Sequence, residues 1–244
     1  MNKHKLYIDI ETFSSVDIRT AGLYKYAESD DFEALLLAYA IDDGDVELID
    51  LTDGGESTRQ KLVEVEGMLT SPEYIKCAHN AHFEMECLRR ELQVPMYLLQ
   101  WACTMVKGMY RGYPASLEKM GEALDMPEDK AKLRTGKALI NYFCKPCKPT
   151  KTNGGRTRNL PKHDPEKWEL FKEYCMRDVE VAREIDKLLP NIPLRLQTEW
   201  IQDYVINARG IAVDKALVEA AIAMDDDVKS THLDTIKHIT GVDN

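Results

Sequence analysis

The sequence lacks the features of membrane-spanning and secreted proteins. Its 244 residues contain no unbroken apolar run of the roughly 18 residues that a membrane-spanning helix needs. The first residues, MNKHKLYIDIE, bring acidic side chains too early for a secretory signal peptide. The six cysteines follow no regular spacing, and the chain is far longer than proteins stapled by disulfides. We therefore expect a globular protein of the cytoplasm, with reduced thiols and no membrane segment.

Two stretches of the chain lack charge of one sign. Residues 28–56 hold eleven acids and no lysine or arginine, whereas residues 130–162 hold ten basic residues and no acid. The formal net charge of −10 alone argues against a nucleic-acid partner, because affinity for phosphates comes largely from Lys and Arg. The concentrated basic segment nevertheless predicts a binding surface for a polyanion. A solvated basic loop without a partner is the alternative.

The hydropathy pattern predicts a sheet flanked by helices. Apolar runs favour strands at residues 5–10, 34–41, 46–51 and 74–78. The short acidic connections between the first three strands predict antiparallel neighbours in an antiparallel or mixed sheet. Helical spacing of apolar residues favours helices at residues 58–68, 82–92, 116–124, 136–143 and 165–189.

Proline and glycine divide the rest of the chain. They are frequent between residues 144 and 164, where apolar periodicity is missing, so a long exposed loop is predicted there. PNIP at 190–193 should end the long helix. We expect a domain at residues 1–190 and a helical extension at residues 195–244.

Acidic residues recur where buried strands and helices are predicted. Side chains alternate along a strand, so Asp9 and Glu11 of YIDIET project to the same side. In YCMRD, Tyr174 and Asp178 are four residues apart and share a helix face beside its buried stripe. Because an unpaired buried carboxylate is costly, a divalent metal held by Asp9, Glu11 and Asp178 would supply the compensating charge. For Asp9 and Glu11 alone, a solvated strand end is the alternative.

Three motifs together resemble a nuclease family. DIET, HNAHFE and YCMRD are similar, in order and spacing, to the three exonuclease motifs of the tyrosine subclass of the DEDD superfamily. Within that superfamily, the chain looks like the 3′–5′ proofreading domain of bacteriophage or prophage family A DNA polymerases. The resemblance covers about residues 5–190 and implies a ribonuclease-H-like mixed sheet flanked by helices.

The end of the sequence resembles a further part of these polymerases. Residues 199–221 are similar to the passage that leads from the exonuclease domain into the polymerase thumb. No motif resembling the palm or fingers follows, so we expect no polymerase reaction in this chain. The polymerase portion of a longer chain is the expected partner.

The resemblance implies metal-dependent hydrolysis of terminal phosphodiesters at the 3′ ends of single-stranded DNA. Two divalent ions, Mg²⁺ or Mn²⁺, would be held by Asp9, Glu11, Glu84 and Asp178, and Tyr174 would orient the attacking water. Glu84 departs from the family pattern, which usually has Asp at this position. This change is tolerated, or it marks a catalytically impaired domain that binds DNA or supports the polymerase. A free-standing ribonuclease is a further alternative.

The resemblance also suggests residues that contact the DNA strand. Thr12 and Phe13 would touch the terminal nucleotide, with a turn residue and a core aromatic as the alternatives. Asn80 would contact the penultimate nucleotide or cap the helix that it precedes. The basic segment would guide the single strand through Lys145, Lys148, Lys151, Arg156 and Arg158.

Two further patterns look like fragments of zinc sites. His79 and His82 form HxxH, and Cys144 and Cys147 form CxxC. A structural zinc site needs four ligands, and neither pattern has a clear complement. We expect structural roles for all four residues.

Overall fold

Five strands in the described part of the chain form one mixed sheet. The computed structural model describes residues 3–126 and 136–242. Its strands are β1 (His4–Phe13), β2 (Glu33–Ile41), β3 (Glu47–Asp50), β4 (Tyr74–Ala78) and β5 (Trp101–Cys103). They lie in the order β3-β2-β1-β4-β5, in which β1, β2 and β3 pair antiparallel while β4 runs parallel to β1 and β5. The predicted ribonuclease-H-like mixed sheet, with three antiparallel strands first, is confirmed.

Ten α-helices lie in the same described ranges. They are α1 (Ile18–Ala21), α2 (Leu23–Ala27), α3 (Glu56–Thr70), α4 (His82–Leu92), α5 (Thr104–Met109), α6 (Leu117–Ala123), α7 (Gly136–Phe143), α8 (Pro165–Leu188), α9 (Leu194–Arg209) and α10 (Lys215–Thr240). Short 3₁₀ turns occur at Leu98–Gln100 and Pro161–His163. Every helix predicted from apolar spacing is present.

The sequence pattern does not predict the short elements α1, α2, α5 and β5. Each spans six residues or fewer, which is too short for a helical or alternating pattern to emerge. The loop predicted at 144–164 has neither an α-helix nor a strand. It is not wholly exposed, however, because Cys144 and Asn159 are buried.

Strand β1 lies in the middle of the sheet and is covered on both faces. Leu6, Ile8 and Ile10 face one hydrophobic cluster, to which α4 also contributes. Tyr7 and Phe13 face a second cluster on the opposite side. Because side chains alternate along a strand, Asp9 and Glu11 belong to the face of Tyr7 and Phe13. The two acids therefore project towards the helix that covers this face.

That helix is α8. Trp168, Phe171, Cys175 and Val179 recur along it at helical spacing and pack into the second cluster. Its first turn is set by Asp164, whose carboxylate accepts a hydrogen bond of 3.2 Å from the backbone N–H of Lys167. The stripe of apolar side chains places the Asp178 face of α8 beside β1.

A charge cluster fixes the contact between α8 and β1 at the end away from Asp178. The Asp186 carboxylate, near the end of α8, accepts a 2.5 Å bond from Lys5 and a 3.0 Å bond from the Tyr7 hydroxyl, both in β1. Lys107 of α5 donates to the same carboxylate at 2.5 Å and also to the backbone oxygen of Asp186. Although burial would raise the pKa of Asp186, the hydrogen bonds from Lys107 and Lys5 hold it below its usual range.

This cluster sets the position of α8 along β1. Eight helical residues from Asp186 back to Asp178 span about 12 Å. Four strand residues from Lys5 forward to Asp9 span about 13 Å. The two lengths match, so a contact between Lys5 and Asp186 at one end brings Asp178 beside Asp9 at the other.

The chain divides into two compact units. The first ends at Tyr204 and so extends past residue 190, because Gln197 and Tyr204 are hydrogen-bonded to Trp101 and Glu86. The second begins at residue 205 and contains the last residues of α9 and all of α10. The predicted likeness of residues 195–244 to a polymerase thumb stays a prediction. Across the described residues, no helix combines the length and the apolar character that crossing a membrane requires.

We expect Asp186→Asn to lower the free energy of unfolding by about 3–5 kcal/mol, because it leaves the buried Lys107 without its charge partner. The pKa of Asp186 is depressed in the folded state, so its contribution is complete above about pH 4 and is lost as the pH falls through the folded pKa. Urea unfolding at several pH values should show the difference between wild type and variant narrowing below about pH 4.

The matched control is Asp225→Asn, which removes an exposed ion pair with Lys229 on α10. It should change stability little at any pH. Equal stability of wild type and Asp186→Asn at pH 7 would contradict the structural role of the cluster.

Candidate metal centre and nucleic-acid cleft

Three predicted metal ligands meet between β1 and α8. Asp9, Glu11 and Asp178 each offer a carboxylate oxygen, and these oxygens all lie within 4.8 Å of one another. Asp9 and Glu11 come from alternate positions of one strand, and Asp178 comes from the helix that packs over that strand. The structure thus brings together residues that are almost 170 positions apart in the sequence.

Glu84 lies at the edge of the same group. It is in the first turn of α4, is 3% exposed, and lines the same cleft as the three acids. Its Oε2 atom is buried and has no hydrogen-bond partner among the described residues. Burial first, and then the charges of Asp9 and Asp178, raise the pKa of Glu84 well above its ordinary value. A buried oxygen of this kind is suited to a cation.

The carboxylates repel one another in a buried setting. Burial raises the pKa of Asp9 to about 6. Burial, followed by the charges of Asp9 and Asp178, raises the pKa of Glu11 well above its usual range. An all-oxygen set of four acids fits a hard divalent cation such as Mg²⁺ or Mn²⁺, which would offset both the burial and the repulsion.

Two thiols also contact these acids. The Cys175 thiol donates to Oδ2 of Asp9 at 3.5 Å, and the Cys144 thiol donates to Oε2 of Glu11 at 3.7 Å. Both cysteines are buried, and burial raises the pKa of each thiol well above its ordinary value. They therefore act as neutral donors that hold the carboxylates in place. The sequence pattern gave no sign of this role beyond the place of Cys175 within YCMRD.

Tyr174 lies next to Asp178 on α8 and lines the cleft. Its hydroxyl is hydrogen-bonded to Asp178, and burial followed by this carboxylate raises the pKa of Tyr174. The ring is parallel to that of Phe171, with 6.3 Å between the ring centroids. The predicted pairing of Tyr174 and Asp178 on one helix face thus leads to direct contact.

These side chains line a cleft of about 560 Å³. A cleft of this size is in the range that accommodates a small ligand or a terminal nucleotide. The predicted site residues that line it are Asp9, Glu11, Thr12, Asn80, Glu84, Lys145, Tyr174 and Asp178.

Three residues suggested for contact with the terminal nucleotides have different surroundings. Thr12 is 2% exposed, and its hydroxyl is hydrogen-bonded at 2.7 Å to the Tyr26 hydroxyl. Phe13 is buried in the second cluster, and the Arg158 guanidinium covers its ring at 3.7 Å from the centroid. These surroundings fit the core alternative, and a contact of Phe13 with a base stays a prediction. Asn80 is exposed, has a left-handed backbone with φ of 67°, and provides no side-chain cap for α4.

The basic segment divides into residues that bind the protein itself and residues that are exposed. Arg156 donates to Asn159 at 2.8 Å, and Arg158 forms a 2.6 Å ion pair with Glu33 of β2. These contacts hold the two arginines against the protein, and their predicted contact with DNA stays a prediction. Lys148 and Lys151 are exposed, and Lys145 lines the cleft. Lys130, Lys132 and Arg134 lie outside the described residues.

The residues of the two zinc-like patterns have contacts within the protein. The two ring nitrogens of His79 are 2.9 Å from the Thr104 hydroxyl and 2.8 Å from the Ala115 carbonyl. The His82 ring is stacked on Trp200 with 4.7 Å between centroids. Among the described residues, Cys144 and Cys147 belong to no group of three metal-ligating side chains.

Comparison with known proteins gives one close relative. No protein-family model matches the chain. The chain is 46% identical over 241 residues to a DNA polymerase of Bacillus phage SP02, and the match covers 98% of this chain. It covers 36% of the polymerase, so the chain spans about a third of that protein's length. The chain is a homologue of part of a phage DNA polymerase.

Two solved structures match the chain in part, at low sequence identity. One, described as the apo form of a nuclease, is 16% identical with a TM-score of 0.39, over 85% of this chain and 77% of that one. The other is RNase D of Trypanosoma brucei in complex with GMP, 16% identical with a TM-score of 0.47, over 86% of this chain and 60% of that one. The activities in these names are those proteins' own.

We expect Mn²⁺ or Mg²⁺ to raise the unfolding temperature of the wild type, because a ligand that binds only the folded state stabilises it. At a metal concentration about 100 times Kd the gain is about 2.7 kcal/mol. Asp9→Asn should abolish this gain. Without metal, the variant should be at least as stable as the wild type, because one of the repelling buried charges is gone.

Differential scanning fluorimetry with and without metal checks both effects. Asp45→Asn, an exposed acid outside the cleft, should keep the wild-type response. An undiminished metal response in Asp9→Asn would count against the centre.

Proposed function

We propose that this homologue of part of a phage DNA polymerase is a metal-dependent 3′–5′ exonuclease that removes nucleoside monophosphates from single-stranded DNA ends. The observation that carries the proposal is the meeting of Asp9, Glu11 and Asp178 within 4.8 Å, at a cleft that Tyr174 and Glu84 also line. In a polymerase, such an activity serves proofreading. The polymerase portion of a longer chain would be its partner, in the cytoplasm of a bacterial host.

Two divalent ions, Mg²⁺ or Mn²⁺, are the proposed cofactors. Asp9, Glu11 and Asp178 would hold the first ion, with Asp9 shared and Glu84 contributing to the second. When bound, such a pair stabilises the attacking and leaving oxygens of an in-line displacement at phosphorus. The orphaned Oε2 of Glu84 supports its inclusion, although the family pattern usually has Asp there.

Tyr174 has the role of orienting the attacking water. Its hydroxyl already donates to Asp178, so the phenol oxygen lies at the acid cluster with a lone pair free for a further hydrogen bond. Such a role depends on geometry before acidity. Loss of the hydroxyl should therefore slow the reaction.

The cleft must also hold a negatively charged strand beside negatively charged residues. Lys145 is the basic residue of the predicted set that lines it, and Asn80 is exposed at its edge. We assign the sugar-phosphate contacts near the 3′ end to these two side chains. Lys148 and Lys151 lie on the same basic loop and are exposed outside the lining of the cleft.

The first test is degradation of single-stranded DNA carrying a 5′ or a 3′ label, with Mg²⁺ or Mn²⁺. The 5′-labelled strand should shorten stepwise, and the 3′ label should be released as a mononucleotide from the start. Asp178→Asn should lose at least about 100-fold in rate. Loss of a group that only supports a metal ligand costs up to about 100-fold, and loss of a ligand itself should cost more. Tyr174→Phe should lose about 100-fold or more, because general acid–base and water-orienting groups contribute at this level.

Asp45→Asn is the control and should retain full activity. No cleavage by folded wild type with either ion would overturn the proposal and favour a DNA-binding or structural module. An RNA strand degraded faster than DNA of the same sequence would favour a ribonuclease instead.

The second test concerns the strand contact. Lys145→Ala should weaken binding of single-stranded DNA, and the slope of log K against log salt should fall in magnitude by about 0.7 for one lost phosphate contact. Lys61→Ala, a lysine of α3 outside the cleft, is the control and should leave the slope unchanged. Fluorescence anisotropy in Ca²⁺, over a range of salt concentrations, measures the binding constant and its salt slope for each variant. An unchanged slope for Lys145→Ala would remove Lys145 from the interface.

A further inference from the structure

Gly136, the first residue of α7, lies against the ring of Tyr174. A Cβ atom built on Gly136 would come within 2.6 Å of Cδ2 and 2.8 Å of Cζ of Tyr174, and closer still to Cε2. Separations under 3.0 Å are essentially never seen for real Cβ atoms. We propose that Gly136 is a positioning residue, whose missing side chain gives the Tyr174 ring the space that places its hydroxyl at Asp178. This inference rests on the proposed function of Tyr174.

Backbone conformation does not explain a glycine at this position. Gly136 is not among the glycines with a positive φ, and its place at the start of a helix is open to other residues. Glycine also weakens a helix relative to alanine. Close approach of another group is the remaining physical reason for a buried glycine here, and the Tyr174 ring is that group.

The ring has little freedom to move aside. On α8 it is parallel to Phe171, and its hydroxyl is hydrogen-bonded to Asp178. Both α7 and α8 pack into the second hydrophobic cluster through Leu139, Phe143 and Phe171. An added methyl group at residue 136 must therefore turn the Tyr174 ring or separate the two helices. Either change moves the hydroxyl, and displacement of a catalytic group by about 1 Å can cost about 100-fold in rate.

The kinetic test is a double-mutant cycle. Gly136→Ala should lower kcat about 10- to 100-fold on single-stranded DNA, with a smaller change in KM. In a Tyr174→Phe background the same substitution should cause little further loss, because the hydroxyl that it displaces is already absent. An equal loss in both backgrounds, or no loss in the wild-type background, would overturn the inference.

The packing test needs no activity and no metal. Gly136→Ala should lower the unfolding temperature of the wild type, but it should leave unchanged or raise that of Tyr174→Ala, which lacks the colliding ring. A variant Gly136→Ala that does not fold alone should fold in the Tyr174→Ala background. Equal destabilisation in both backgrounds would show that the ring is not the obstacle. These unfolding temperatures do not depend on activity. They therefore test the packing of Gly136 on Tyr174 separately from the proposed function, even if the wild type proves inactive.

Two other glycines provide matched controls. At Gly108, in α5, an added Cβ would meet the flexible end of Met120. Gly108→Ala should alter stability, and any effect on kcat should be the same with and without the Tyr174 hydroxyl. At Gly67, in α3, an added Cβ would meet nothing within 4 Å, so Gly67→Ala should leave kcat unchanged. Dependence of the Gly108→Ala effect on the Tyr174 hydroxyl would show that the coupling is not specific to Gly136, and would overturn the inference.

Discussion

The position of helix α8 along strand β1 is the constraint on which the rest of the site depends. Asp9 and Glu11 are presented by the strand, and Asp178 by the helix, so a shift of one helical turn would separate them. The ion cluster of Lys5, Lys107 and Asp186 fixes this position from the far end of the contact. Its residues touch neither the cleft nor the acids, yet they determine which residues of α8 face Asp9.

The carboxylates of the site repel one another, and the packing around them opposes this repulsion. Burial raises the pKa of Asp9, and burial together with neighbouring acids raises the pKa values of Glu11 and Glu84. Opposing this repulsion are the two apolar clusters on either side of β1 and the thiols of Cys144 and Cys175, which donate to the carboxylates. A divalent cation removes the repulsion directly.

Much of the fold follows from local patterns, and the missing parts have physical reasons. The alternation around Asp9 and the helical spacing around Asp178 predict both their elements and their faces. Strand β5 and helices α1, α2 and α5 are too short for such patterns. Charge counting identifies the basic segment, but it does not show which of its residues pair within the protein. Arg158 pairs with Glu33 of the acid-rich stretch, and part of the charge asymmetry is therefore neutralised internally.

The contacts of the site itself are harder to predict than its members. Asp9, Glu11 and Asp178 can be chosen by residue type and spacing, whereas Glu84 and the role of Tyr174 come from the resemblance of the motifs. The thiol contacts and the packing of Gly136 on Tyr174 arise between elements distant in the sequence, where neither residue carries a local signal. Phe13 shows the reverse case, since the aromatic next to the first motif is buried in the second cluster.

The measurement that tests the metal centre most directly is a titration of the metal-free protein with Mn²⁺, followed by electron paramagnetic resonance. The free-ion signal should stay low until about two ions per chain have been added, and the bound ions should show the magnetic coupling of a pair about 3.5–4 Å apart. A free-ion signal that rises from the first addition, as it does in buffer alone, would contradict the centre.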